Sequence, residues 1–137
     1  MTHGVFRTAQ ARTLAASGIA FVFYALWAAW ANRLHEPSAI AMAAATQGLY
    51  SALVTAGMTS LVERLFRGAW QLRWRVLRCT TATLTLLIVS SLGVHWLAGT
   101  AEVLVTVLPS WLFGSLYALV YALGLARAER SAEHTRR

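Results

Sequence analysis

The chain has 137 residues, a formal net charge of +7, 58% hydrophobic residues and 12% charged ones. Soluble domains run to roughly 45–50% apolar and about 25% charged, so this composition excludes a soluble domain of the same size. It also excludes a disordered chain and a disulfide framework, since Cys79 is the one cysteine. All twelve basic residues are arginines, and nearly all lie between or outside apolar runs, which points to membrane topology and not to nucleic acid.

Four apolar runs follow one another: 13–32, 39–62, 80–97 and 103–126. Each approaches or exceeds the roughly 20 helical residues that a ~30 Å hydrocarbon layer requires. None has a charged residue in its interior. Lipid offers the backbone no partners, so continuous runs of this length are helices. Arg7 and Arg12 precede the first run, and Arg33 stands alone after it. Arg64, Arg67, Arg73, Arg75 and Arg78 follow the second, and Arg127, Arg130, Arg136 and Arg137 follow the fourth. The split of eleven to one puts both termini and the central loop in the cytoplasm. A cleavable signal peptide is the rival reading of the first run. Its length and its Trp27 and Trp30 suit a retained span better.

An ungapped shift of 66 residues superposes 13 identities in 71 pairs, against about six expected from so skewed a composition. The matches include Arg7/Arg73, Arg12/Arg78, Trp30/Trp96, Glu36/Glu102, Gly48/Gly114 and Glu63-Arg64/Glu129-Arg130. The expected fold is all-α and integral to the membrane. It has two tandem hairpins, 1–66 and 67–137, related by an axis along the membrane normal. Together they form a four-helix bundle.

The second run carries a polar ladder, Gln47, Ser51, Thr55, Thr59 and Glu63. Beside it lies a small-residue ladder that includes Gly48, Ala52 and Ala56. The fourth run repeats the small ladder with Gly114, Ala118 and Ala122. Residues four apart share a helix face. Small ladders admit close helix packing, and hydroxyls bond across it. Packing is the first reading of the polar ladder, and a path or headgroup groove is the second. His35, Glu36, His95 and Glu102 fall on the outer face. Their spacing fits no metal motif, so they are expected to be solvated. In the central loop Phe66, Trp70, Trp74 and Leu77 share one helical face. Arg64, Arg67, Gln71, Arg75 and Arg78 share the other, as in an interfacial helix. Arg64, Arg67, Arg73, Arg75, Arg78, Trp70 and Trp74 are therefore the expected contacts with headgroups or a partner. Pro109 either kinks the fourth run or sits in its first two turns.

There is no aspartate, no Gly-rich phosphate loop, no Cys pair and no metal-spaced cluster, so neither catalysis nor a cofactor is expected. Tandem two-helix hairpins in a chain this size resemble, in organisation, the proteobacterial antimicrobial compound efflux family. That family carries an acidic residue in the first helix of each hairpin. The small multidrug resistance family carries a glutamate in its first helix. The first and third runs here have neither, so the chain is assigned to neither family. The expected function is a noncatalytic accessory or scaffold subunit of the bacterial inner membrane. It would contact membrane lipids and either a larger membrane protein or further copies of itself. A small homo-oligomeric transporter of amphiphilic or lipid-linked molecules is the alternative.

Overall fold

The computed structural model describes residues 2–68 and 71–135, and side chains from residue 10 onward. Trp70 and the side chain of Arg7 lie outside the described residues. The described residues form four α-helices: α1 (Thr2–Ala31), α2 (Pro37–Phe66), α3 (Leu72–Leu97) and α4 (Val103–Thr135). All four are long and apolar enough to cross a membrane, α1 through its stretch Gln10–Ala31. Each helix runs beyond the apolar segment that predicted it, because the flanking arginines and glutamates are good helix formers.

The boundaries follow local chemistry. Pro37 sits in the first turn of α2, where its missing N–H costs nothing. Gly99, at φ 66°, takes the left-handed conformation that turns the chain after α3. The helix ends also repeat at a fixed offset. α1 ends at Ala31 and α3 at Leu97, while α2 begins at Pro37 and α4 at Val103. Both pairs are 66 residues apart.

The central loop differs from expectation. Among the described residues it forms no separate amphipathic helix. Residues up to Phe66 extend α2, Arg67 is extended at φ −66° and ψ 145°, and α3 starts at Leu72. Gly68, at φ 140°, supplies a break that an L side chain rarely adopts. Phe66 is buried in the core instead of lying on a lipid surface.

α1 packs along α2, and α3 along α4; α2 also meets α3 and α4, whereas α1 touches α4 and, among the described residues, does not meet α3. The apolar core lies among Met58, Val62, Phe66, Cys79, Leu87, Ala118, Ala122 and Ala126, all from α2, α3 and α4. The buried face of α3 is a ladder at spacing four: Cys79, Thr83, Leu87, Ser91 and His95. On α1, Ala28 is the buried residue among those whose side chains are described. The remaining exterior is dense in exposed Leu, Val, Phe and Trp, as suits lipid as solvent.

The two register-matched glycines mark close approaches. A Cβ on Gly48 would stand 3.0 Å from the Phe21 ring and 3.1 Å from Ala25 Cβ, and one on Gly114 would stand 2.5 Å from Leu87 Cδ1. Phe21 and Leu87 are themselves 66 residues apart.

Candidate functional site

Two short turns, α1–α2 and α3–α4, lie at one end of the molecule, and this turn end is held by buried polar side chains. Gln47 Nε2 donates to Ser110 Oγ at 2.5 Å. Gln47 Oε1 lies 2.6 Å from His95 Nε2, so that nitrogen is the donor. In the neutral ring Nδ1 then accepts from the Thr100 hydroxyl at 2.8 Å. His95 and Gln47 are fully buried. His95 therefore departs from the solvated outer-face position expected of it. It ends the buried ladder of α3, and burial requires that both ring nitrogens find partners. His35 and Glu102 do stay exposed, 3.3 Å apart, and Glu36 is exposed at the start of α2.

A second node ties α1 to α4. Asn32 Nδ2 donates to Ala28 O and Thr106 Oγ1, both at 2.9 Å, and Asn32 Oδ1 accepts from the Glu102 N–H at 3.0 Å. Trp27 Nε1 donates to Val105 O at 2.9 Å. Val105 is four residues before Pro109, which lies inside α4 and has no N–H to offer it. The indole of α1 thus satisfies the carbonyl that the proline leaves free.

The opposite end carries the α2–α3 connection, and it is clasped on one side. Arg75 makes two bonds to the Glu129 carboxylate, at 2.6 and 2.7 Å, donates to Phe66 O at 2.8 Å, and lies over the Phe66 ring. Arg78 donates to Leu65 O and Arg67 O. These two arginines stitch helices and loop together, and Arg78 stays exposed. Arg64, Arg67, Arg73 and Trp74 are exposed, with Arg73 over the Trp74 ring.

Between the clasped core and the start of α1 lies a groove of about 930 Å³. Such a volume falls within the roughly 300–1,000 Å³ of pockets that hold drug-sized ligands. One wall is α1 from Arg12 to Phe23, the floor is α2 from Tyr50 to Ser60, and the far wall is Phe113, Gly114 and Tyr117 of α4. Ser110 lines it too, so the Gln47–His95 network closes the groove toward the turn end. Eleven residues separate Arg12 from Phe23, a rise of about 16 Å.

The predicted ladders divide along this groove. Gln47 joins the buried network. Ser51 is buried, with its hydroxyl enclosed and without a partner. Ser51, Thr55 and Thr59 line the groove. Thr59 bonds Tyr117 Oη at 2.8 Å, and Glu63 accepts from Tyr121 Oη at 2.8 Å. The two tyrosines stack, 5.7 Å between centroids. Of the small residues, Gly48 is buried, Gly114 is half-buried, and Ala118 and Ala122 are buried. Ala52 is half-buried, whereas Ala56 is exposed on the groove. The small ladder of α2 thus serves packing in its first half and leaves room in its second.

No family model matches the chain, and no curated protein or solved structure is similar to it. Among the described residues, no group of three or more His, Cys, Asp or Glu side chains is placed to hold a metal ion. Sequence reasoning missed His95, Asn32 and the Trp27–Val105 bond. A search of the third run for residues four apart would have found His95, through Thr83, Ser91 and His95. Nothing local announces which carbonyl Trp27 reaches.

Proposed function

We propose that the chain is a small multi-pass protein of the bacterial inner membrane. It is built as two tandem hairpins in a four-helix bundle, with both termini cytoplasmic, and it carries amphiphilic molecules. The arginine distribution supports the orientation. The matched helix ends, and the contacts of Gly48 with Phe21 and Gly114 with Leu87, support the duplication. A reporter active only in the cytoplasm is expected to work at the C-terminus and to fail when inserted at Glu102. Activity at Glu102 refutes this topology.

The groove carries the functional reading. It moves the transporter alternative ahead of the accessory subunit, because a scaffold needs packed surfaces and not a cavity of ligand size. On the proposed orientation it belongs to the cytoplasmic half; Gln47, His95 and Ser110 stand at its turn end, and aromatic and small residues wall it. The full chain in liposomes is expected to speed the crossing of a fluorescent single-chain amphiphile. Ala56→Phe, which fills the groove, is expected to abolish the gain. Crossing at the protein-free rate refutes transport and returns the accessory reading to first place.

A further inference from the structure

The groove has a depth, a wall chemistry and a charge, and together these specify an occupant. Its run of about 16 Å from Arg12 to Phe23 is half of the ~30 Å hydrocarbon thickness, the span of one leaflet. Its walls offer rings and methyl groups: Phe23, Tyr24, Phe113, Ile19 and Ala56. Three of its hydroxyl-bearing residues have little to offer a ligand. Thr59 is spent on Tyr117, Tyr50 Oη bonds Ser90 Oγ at 2.8 Å, and the Ser51 hydroxyl is enclosed. The mouth holds Arg12, which is exposed and has no carboxylate partner among the described residues. Among the described residues, none that lines the groove is acidic.

We infer that the groove takes the acyl chain of an anionic amphiphile from the cytoplasmic leaflet, with its anionic head on Arg12; this rests on the amphiphile-carrying reading above and narrows its substrate class. An apolar tail loses little against walls made mostly of rings and methyl groups. A guanidinium at the interface offers forked donors to a phosphate or carboxylate head. A cationic head would meet Arg12 with no carboxylate to offset it.

The test holds the tail constant and varies the head. The full chain in phosphatidylcholine nanodiscs is titrated with radiolabelled dodecyl phosphate, dodecylphosphocholine or dodecyltrimethylammonium. Retention by empty nanodiscs is subtracted. The phosphate is expected to bind about fivefold tighter than the choline head, the order that one interfacial arginine contributes, with the ammonium weakest. Arg12→Gln is expected to remove that preference while the choline compound still binds. Arg127→Gln, an exposed arginine outside the groove, is expected to keep it. Ala56→Phe is expected to weaken all three. Equal binding of the three heads, or a preference that survives Arg12→Gln, overturns the anionic assignment and leaves the groove as a tail site. Binding that is indifferent to Ala56→Phe overturns the groove itself as the place of binding, and with it both readings.

Discussion

The first helix pair and the second share a register but not a set of contacts. In each, a glycine of the second helix faces a residue of the first, Gly48 with Phe21 and Gly114 with Leu87. Beyond that the pairs diverge. α3 buries five residues against its neighbours, and its start is clasped to α4 by Arg75 and Glu129. In sequence the counterpart of Arg75 is Ala9, and the counterpart of Glu129 is Glu63, which bonds Tyr121 of α4 instead. α1 is held near the turn end, through Trp27, Ala28 and Asn32, and its preceding turns line the groove. Among the described residues the Arg75–Glu129 pair has no counterpart joining α1 to α2.

Bulk at the two glycines tests this difference most strongly. Gly48→Leu is expected to cost about 3 kcal/mol and Gly114→Leu about 2 kcal/mol, within the overpacking range. Ala25 Cβ cannot rotate away from a new side chain at position 48, whereas Leu87 Cδ1 can move away from one at position 114. Melting in detergent micelles ranks the two. The reverse order would mean that the second pair is the less forgiving.

The polar seal comes next. Gln47→Leu leaves the His95 Nε2–H and the Ser110 hydroxyl without their partner, an expected loss of about 2 kcal/mol. Adding His95→Leu should restore at least half of it, since two apolar partners leave fewer groups unsatisfied. Strictly additive melting losses would contradict the hydrogen-bonded pair.

Trp27→Phe keeps a ring on α1 but frees Val105 O beside Pro109, and should cost about 1 kcal/mol. Trp27→Phe made in a Pro109→Ala background should cost distinctly less, because the alanine N–H takes that carbonyl. Equal costs in both backgrounds would remove the proline from the account.

The smallest effect belongs to the clasp. Arg75→Gln should cost about 0.5 kcal/mol, as partly exposed ion pairs do, and should narrow the gap between melts at low and high salt. A loss several times larger would make the clasp, and not the core, the main difference between the pairs.

Much of this architecture is legible along the chain. Hydropathy and length mark the four helices, because a span must satisfy its own backbone over a length set by the bilayer. The 66-residue register marks Gly48 and Gly114 as equivalent, and their spacing with Ala118 and Ala122 marks packing faces. These are local or periodic properties, and one residue after another carries them. Which face of one helix meets which face of another is not local. Phe66, Trp74 and Leu77 have the spacing of an interfacial helix, yet the backbone breaks at Arg67–Gly68 and Phe66 turns into the core. His95 reads as an outer-face residue until α3 and α2 pack and bring Gln47 within 2.6 Å. The groove has no sequence signature at all. It lies where α1, close to α2 at Gly48 and bonded to α4 through Trp27 and Asn32, lines a space against α2 and α4 from Arg12 to Phe23. Composition and hydropathy determined the helices and their number. Only the tertiary structure decided where they separate, because separation depends on contacts between residues as far apart as Trp27 and Val105.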